Sequence, residues 1–472
     1  MTHAPKTPAA PANTPEPETL NEWDRTHQLH PWAAMDAWQE SDYLPVESAS
    51  GIHIWDANGK RYIDGPGGMW CVQIGYGRPE MAQAIADQVM KLPYTSPWTT
   101  TTDPSTILAK KIADFAPGDL NNVFFTTGGS TAVDTAIRTV HFMNNTLGRP
   151  DKKIMIAREK GYHGSTYLAS TVTGKERDKS RFDVEKRLVR FLPDVNPFHR
   201  PEGMSEAEWC DEKVADLENM IAEVGAENVG GFIAEPILCS GGVIVPPEGY
   251  HRRTLEVCRK HDILYISDEV VTGFGRLGHW FASEEVFGIV PDIITCAKGL
   301  TSGYLPLGAC IISDRVMERM TGPDQNVMFS NGYTYSAHPV SCAAALKNIE
   351  ILEEERILEH VREVSPHFQQ RLHALRKFPI VADTRGMGLV GCVEGRPVEN
   401  ATSLAGQRQL GALLDEACEE MGLLVRPLIN MAVFSPPLII TRQQIDEMFD
   451  ILEAALERVT KQLEKTGETA TV

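Results

Sequence analysis

The spacing of hydrophobic residues changes character in three stretches of the chain. Between Trp23 and Gly77 apolar and polar residues alternate in short runs: Ile52-His53-Ile54-Trp55, then Asp56-Ala57-Asn58-Gly59, then Arg61-Tyr62-Ile63-Asp64. Alternation on both sides of a turn sequence rich in Asp, Asn and Gly predicts a β-hairpin. From residue 80 to residue 336, apolar runs at 123–125, 154–156, 232–234, 263–266 and 293–294 alternate with helix-length segments. That rhythm predicts an α/β fold with a mostly parallel sheet. Beyond Ser336 the period is helical, strand-like runs return at 388–393, and two amphipathic helices close the chain. One carries Leu410, Leu413, Leu414, Ala417 and Met421 on a single face. The other opens on Thr441-Arg-Gln-Gln444, a capping-box pattern, and repeats Ile445, Met448, Phe449, Leu452 and Leu456. Both stripes predict packing rather than function.

These changes of period divide the chain into four parts. Residues 1–22, rich in Pro, Ala and Thr, are expected to be a disordered tail. Residues 23–79 form the N-terminal part of a small domain, 80–336 a large domain, and 337–472 the C-terminal part of the small domain.

Composition narrows the function classes. Of 472 residues, 42% are hydrophobic and 23% charged, with a net charge of −19. Such a chain folds, and its charge disfavours nucleic acid and anionic membranes as partners. The most basic stretch, residues 175–190, interleaves Asp178, Asp183 and Glu185 and reads as a solvated face. Nine scattered cysteines without a C-x-x-C pair argue against a disulfide framework or a zinc site, so no metal is expected. With no signal-like or membrane-spanning apolar run, the expected location is the cytoplasm.

Candidate chemistry concentrates at two strand ends. Ile263-Leu-Tyr-Ile-Ser267 delivers Asp268 and Glu269 and then breaks into a glycine-rich loop, and Ile293-Ile-Thr-Cys-Ala297 delivers Lys298. Ligands of open α/β sheets bind at the carboxyl ends of strands. A lysine for a Schiff base and an acid for a ring nitrogen are what pyridoxal phosphate requires. A structural ion pair would use the same residue types.

The full wording, Asp268-Glu-Val-Val-Thr-Gly-Phe-Gly-Arg276 followed by Ala297-Lys298-Gly-Leu-Thr-Ser-Gly303, resembles the signature of class III (fold type I) pyridoxal-phosphate-dependent aminotransferases. The resemblance spans nearly the whole chain from Trp32 to Leu452. It implies an α/β, fold type I transferase: a large domain with a mostly parallel central sheet, plus a smaller α+β domain formed by the N- and C-terminal segments. It further implies pyridoxal 5'-phosphate on Lys298, with Asp268 at the pyridinium nitrogen and Val270 on one ring face. Tyr162, in Gly161-Tyr162-His163-Gly164, would cover the other face, with His163 beside it. Gly129 and Ser130, in Thr126-Thr-Gly-Gly-Ser130, would hold the phosphate, and Glu235 would lie near the cofactor.

Tyr333 and Thr334 match a segment whose threonine reaches the phosphate of a neighbouring subunit, which implies a homodimer or higher oligomer. Two departures stand out around the phosphate: Thr131 replaces the usual glutamate, with Gly128 before it, and Ala337 replaces glycine. Within the family the chain is most similar to the ω-amino acid and amine:pyruvate subgroup, including the β-alanine and taurine:pyruvate type. Arg426 would there bind a substrate carboxylate, with Trp32 and Trp70 as aromatic walls. The implied partners are an amine or amino acid donor and a keto acid acceptor, exchanged by a ping-pong mechanism.

Other readings use some of the same residues. Aminomutases, racemases and decarboxylases of this fold share Lys298 and Asp268. Gly273-Phe-Gly275-Arg-Leu-Gly278 formally satisfies a dinucleotide fingerprint, with Asp292 near the place of a ribose-binding acid. No helix pattern follows it directly, so a nicotinamide-dependent dehydrogenase is disfavoured.

Overall fold

Seven strands make the central sheet of the computed structural model, which describes residues 15–40, 43–321, 327–396 and 404–466. In chain order they are β1 (Asn122–Thr126), β2 (Ile154–Arg158), β3 (Val189–Leu192), β4 (Val229–Ala234), β5 (Leu264–Asp268), β6 (Ile293–Cys296) and β7 (Gly308–Ile312). Their order across the sheet is β1-β7-β6-β5-β4-β2-β3, and only β7 runs antiparallel to its neighbours. Strands β4 to β7 are buried at every position, which is why they read as nearly unbroken apolar runs. Two strands escape the pattern expected from sequence. β7 opens on Gly-Ala-Cys, and the edge strand β3 carries the half-buried Arg190.

The expected hairpin is present, with His53 facing Ile63 and Trp55 facing Arg61 across it. Its turn is held by Asp56, whose Oδ1 accepts the amides of Asn58 and Lys60 at 2.9 and 2.8 Å. The last hairpin strand pairs in parallel with Leu423–Leu424, so the two ends of the chain share one sheet. A further antiparallel sheet joins Val381–Met387, Val390–Gly395, Met431–Phe434 and Arg426–Leu428. One hydrophobic core binds both ends of the chain together, with Ile52 and Ile63 beside Phe368, Phe434 and Phe449.

The capping box forms, Thr441 Oγ1 accepting the Gln444 amide while Gln444 Oε1 accepts the Thr441 amide. Behind it Ile445, Met448, Phe449, Leu452 and Leu456 are all buried. On the other amphipathic helix Leu414 and Ala417 are buried, and Leu413 and Met421 are half-buried. The Leu410 side chain lies outside the described residues.

Several expectations are corrected. Of the tail expected over residues 1–22, residues 1–14 lie outside the described residues, but Pro17–His27 is a helix. Proline opens its first turn and Arg25 and His27 occupy the last, where cations suit the helix dipole. The basic stretch is not a simple solvated face, because Lys175 is largely enclosed and Lys179 is buried against Phe191, 4.4 Å from its ring. Residues 270–278 form turns rather than a helix start, and Asp292 is spent on Arg259 and the Tyr265 amide. No described helix is long and apolar enough to cross a membrane.

Arg276 joins the glycine-rich loop to both chain ends. It is fully buried and donates to the carbonyls of Leu389 and Pro436 and to Gln73 Oε1. Burial pulls its pKa down to about 10. Removing the guanidinium relieves that desolvation but leaves a cavity and three orphaned acceptors, each costing about 1–3 kcal/mol. Arg276→Ala is therefore expected to lower stability by about 3 kcal/mol or more, read from the urea midpoint.

Candidate active site

Parallel pairing of β5 with β6 sets the site. The register places Asp268 opposite Thr295, so both strand ends open on the same edge of the sheet. Asp268 is buried, and its Oδ1 accepts the Thr295 hydroxyl at 3.0 Å and the Val270 amide at 3.2 Å. His163 Nδ1 donates to Oδ2 at 2.7 Å. A carboxylate removed from water needs such donors to stay ionised. Only one of the two adjacent acids belongs here. Glu269 points to the other side and accepts the amides of Ala282 and Ser283 and the Thr272 hydroxyl.

Lys298 follows β6 with a left-handed φ of 45° that turns its side chain into the same cavity. Burial pushes its amine pKa below the ordinary lysine value, and Asp268 is the largest opposing influence. Its Nζ lies 5.9 Å from the Trp70 ring. Glu235, just after β4, is also buried in the cavity wall and accepts the Tyr162 amide at 2.9 Å. Burial raises its pKa. Tyr162 follows β2 and is half-buried, its hydroxyl 3.0 Å from Ser165 Oγ.

Opposite these groups stands the N-terminus of the helix Gly129–Thr146, which no side chain caps. Free amides at a helix start favour an anion. A Cβ on Gly129 would come within 3.0 Å of Val270, so glycine lets the cradle and Val270 approach each other. Ser130 Oγ accepts the Ser165 amide at 3.1 Å. The departure at Thr131 has a local role, because its hydroxyl donates to the Gly128 carbonyl at 2.8 Å. Ala337 takes a left-handed φ of 53°, the conformation that glycine adopts without strain.

The cavity enclosed by these residues measures about 490 Å³. Lys298, Asp268, His163, Tyr162, Glu235, Val270, Gly129, Ser130, Trp70 and Trp32 all line it. Trp70 is buried with its Nε1 unpartnered among the described residues, whereas Trp32 is 60% exposed, 6.4 Å from the Tyr162 ring. Arg426 stands one layer out, its guanidinium 5.2 Å from the Trp70 ring and its buried Nε without a partner among the described residues. Tyr333 and Thr334 are not in the cavity of their own chain. Tyr333 donates to the Thr131 carbonyl behind the cradle, and Thr334 is exposed. Sequence reasoning missed Thr295, Ser165 and Ser240. Only Thr295 left a signal, as a polar residue inside an apolar strand run.

Comparison with known proteins fits this geometry. Residues 34–456 match the family model described as aminotransferase class-III. The chain belongs to the class-III aminotransferases. This aminotransferase is 40% identical to a putrescine–pyruvate aminotransferase of Pseudomonas aeruginosa, over 93% of its own length and 96% of the relative's. It is 38% identical to a mitochondrial γ-aminobutyrate transaminase of Oryza sativa subsp. indica, covering 92% and 86%. Among solved structures, an (S)-enantioselective ω-transaminase from Thermomicrobium roseum superposes with a TM-score of 0.90 at 35% identity, covering 94% and 99%. The ω-transaminase of Pseudomonas jessenii, solved in complex with PMP, does so with a TM-score of 0.90 at 34% identity, covering 94% and 99%.

The lowered Lys298 pKa makes a prediction about the cofactor-free aminotransferase. An amine-reactive label should modify Lys298 at a lower pH than exposed lysines, because more of its amine is neutral there. Since Asp268 opposes the shift, Asp268→Asn should move the midpoint lower still. Peptide mapping across a pH series measures both, and a midpoint above that of exposed lysines would contradict the assignment.

Proposed function

We propose that the cavity holds pyridoxal 5'-phosphate and that the enzyme moves an amino group from an amine or ω-amino acid to a small keto acid such as pyruvate. The observation that carries this reading is the convergence of three features on one cavity: a buried lysine, a hydrogen-bonded carboxylate and an uncapped helix N-terminus. The residues fit the cofactor's three chemical ends. Gly129 and Ser130 take the phosphate, Asp268 the ring nitrogen, and Lys298 the aldehyde carbon. When bound, the cofactor supplies an electron sink for charge developing on the carbon that bears the amino group.

The protein's own groups do the rest. Lys298 Nζ would hold the cofactor and, as a free amine, would take the proton from the substrate's amino-bearing carbon. Burial favours the neutral amine that this step needs. His163 holds Asp268 in place through Nδ1, and the carboxylate would favour a proton on the cofactor's ring nitrogen. Tyr162 and Val270 would flank the ring, and Glu235 fixes the loop of Tyr162 through its amide. Arg426 takes a carboxylate of donor or acceptor, between the walls of Trp70 and Trp32.

Thr334 serves the neighbouring subunit's site in a homodimer, while Tyr333 braces the cradle of its own chain. An exposed aromatic surface supports that reading: Tyr335 and Trp98 are exposed, and Tyr94 donates to the Thr334 carbonyl. The nine unpaired cysteines suit a reducing compartment such as the cytoplasm.

An amine donor added alone to the purified enzyme should change the visible absorption band of the bound cofactor, and pyruvate should restore it. Failure of that half-reaction with a panel of amines would exclude transamination. Lys298→Ala should lose activity by about a thousandfold or more, and Asp268→Asn by about a hundredfold in kcat.

A further inference from the structure

Lys175 sits where the local sequence pattern did not place it. Gly174 packs so closely on the Arg158 carbonyl that a Cβ there would stand 2.0 Å from the oxygen. Its amide donates to the Gly161 carbonyl at 2.8 Å, and its carbonyl accepts the Lys160 amide at 3.0 Å. These backbone bonds clamp residue 174 onto the loop that carries Tyr162. The next side chain, Lys175, is thereby brought in, with only 14% of it exposed and its Nζ 5.8 Å from the centre of the Tyr162 ring.

The donors of this ammonium are only partly used. Nζ donates to Ser240 Oγ at 3.1 Å and lies 3.3 Å from Asp178 Oδ2. An ammonium has three N–H bonds, so one is uncommitted among the described residues. Ser240 is buried and lines the cavity, and Lys175 is its one side-chain partner among the described residues. Because its oxygen already accepts from Lys175, its own O–H is left to donate into the cavity. The Lys175 ammonium thus stands directly behind the Ser240 hydroxyl, which faces the cavity.

The local charge favours an anion. Asp178 is shared with Arg177, whose Nε lies 3.1 Å from Oδ1. Burial is the main influence disfavouring the charge on Lys175, with Asp178 opposing it and Arg426, which has no carboxylate partner among the described residues, adding to it. Two cations, Lys175 and Arg177, therefore share the Asp178 carboxylate, with Arg426 nearby.

We propose that Lys175, acting with the Ser240 hydroxyl, is a specificity-determining residue that binds the carboxylate at the far end of an ω-amino acid and repels the far ammonium of a diamine. This rests on the aminotransferase reading above and adds to it the group that chooses among donors. Arg426 alone would leave the preference between those donors to one swinging side chain, whereas the Lys175 wall is fixed by the backbone clamp.

The test compares 4-aminobutanoate, 1,4-diaminobutane and benzylamine, which carries no charge at its far end, as donors to the holoenzyme, each with pyruvate. In Lys175→Met the ratio of kcat/KM for 4-aminobutanoate to that for benzylamine should fall about tenfold or more, through KM, and the ratio for 1,4-diaminobutane to benzylamine should rise. Lys175→Arg should keep both ratios within about threefold of the unaltered enzyme. Calorimetric binding of butanoate, which has no amino group, should weaken about tenfold in Lys175→Met. Equal losses for all three donors would mean that Lys175 only supports the loop. Butanoate binding lost in Arg426→Ala but intact in Lys175→Met would give the carboxylate to Arg426 alone. Either result overturns the proposal. If benzylamine fails to change the cofactor band of the unaltered enzyme while the other donors succeed, the reference is replaced by another amine with no charge at its far end. If every donor fails, the aminotransferase reading falls first.

Discussion

Everything in this site follows from placing an amine and a carboxylate together where water is excluded. Lys298 and Asp268 are both buried, and neither could be charged there alone without a large desolvation cost. The structure meets that demand asymmetrically. Asp268 receives donors from Thr295, Val270 and His163, whereas Lys298 has no dedicated acceptor among the described residues and is pushed toward its neutral form. A carboxyl ringed by donors beside an amine pushed toward its neutral form is a division of labour set by hydrogen bonding and burial.

That arrangement depends on the parallel sheet. Adjacent parallel strands end on the same edge, so β4, β5 and β6 present Glu235, Asp268 and Lys298 side by side although the residues are far apart in sequence. The helix Gly129–Thr146 brings its N-terminus to the same edge after β1. The antiparallel β7 lies between β1 and β6, with Gly308 so close to Gly128 that a Cβ would stand 2.5 Å from its carbonyl. The two chain ends then close the cavity from the side. Trp32 and Trp70 come from one end and Arg426 from the other, held by the shared sheet and by the buried Arg276.

Fold and chemistry were legible to different depths. The buried strands showed as apolar runs because burial on both faces removes the polar alternation that surface strands display. Lys298, Asp268 and the Gly129-Ser130 cradle showed because each follows such a run directly. Lys175 did not. Its neighbours Glu176, Arg177 and Asp178 are those of a solvated turn, and only the contact of Gly174 with Arg158 turns it inward. The helix at Pro17–His27 was hidden by the low-complexity composition just before it.

The sequence by itself determined the strand and helix pattern and marked the lysine, the acid and the glycine loop at the strand ends, since these are written in contiguous residues. The tertiary structure alone decided that His163 and Thr295 hold Asp268, that Glu269 does not face the cavity, and that Lys175 turns inward behind Ser240. Those contacts join segments distant along the chain, and their geometry is set by strand register and backbone packing that no local pattern encodes.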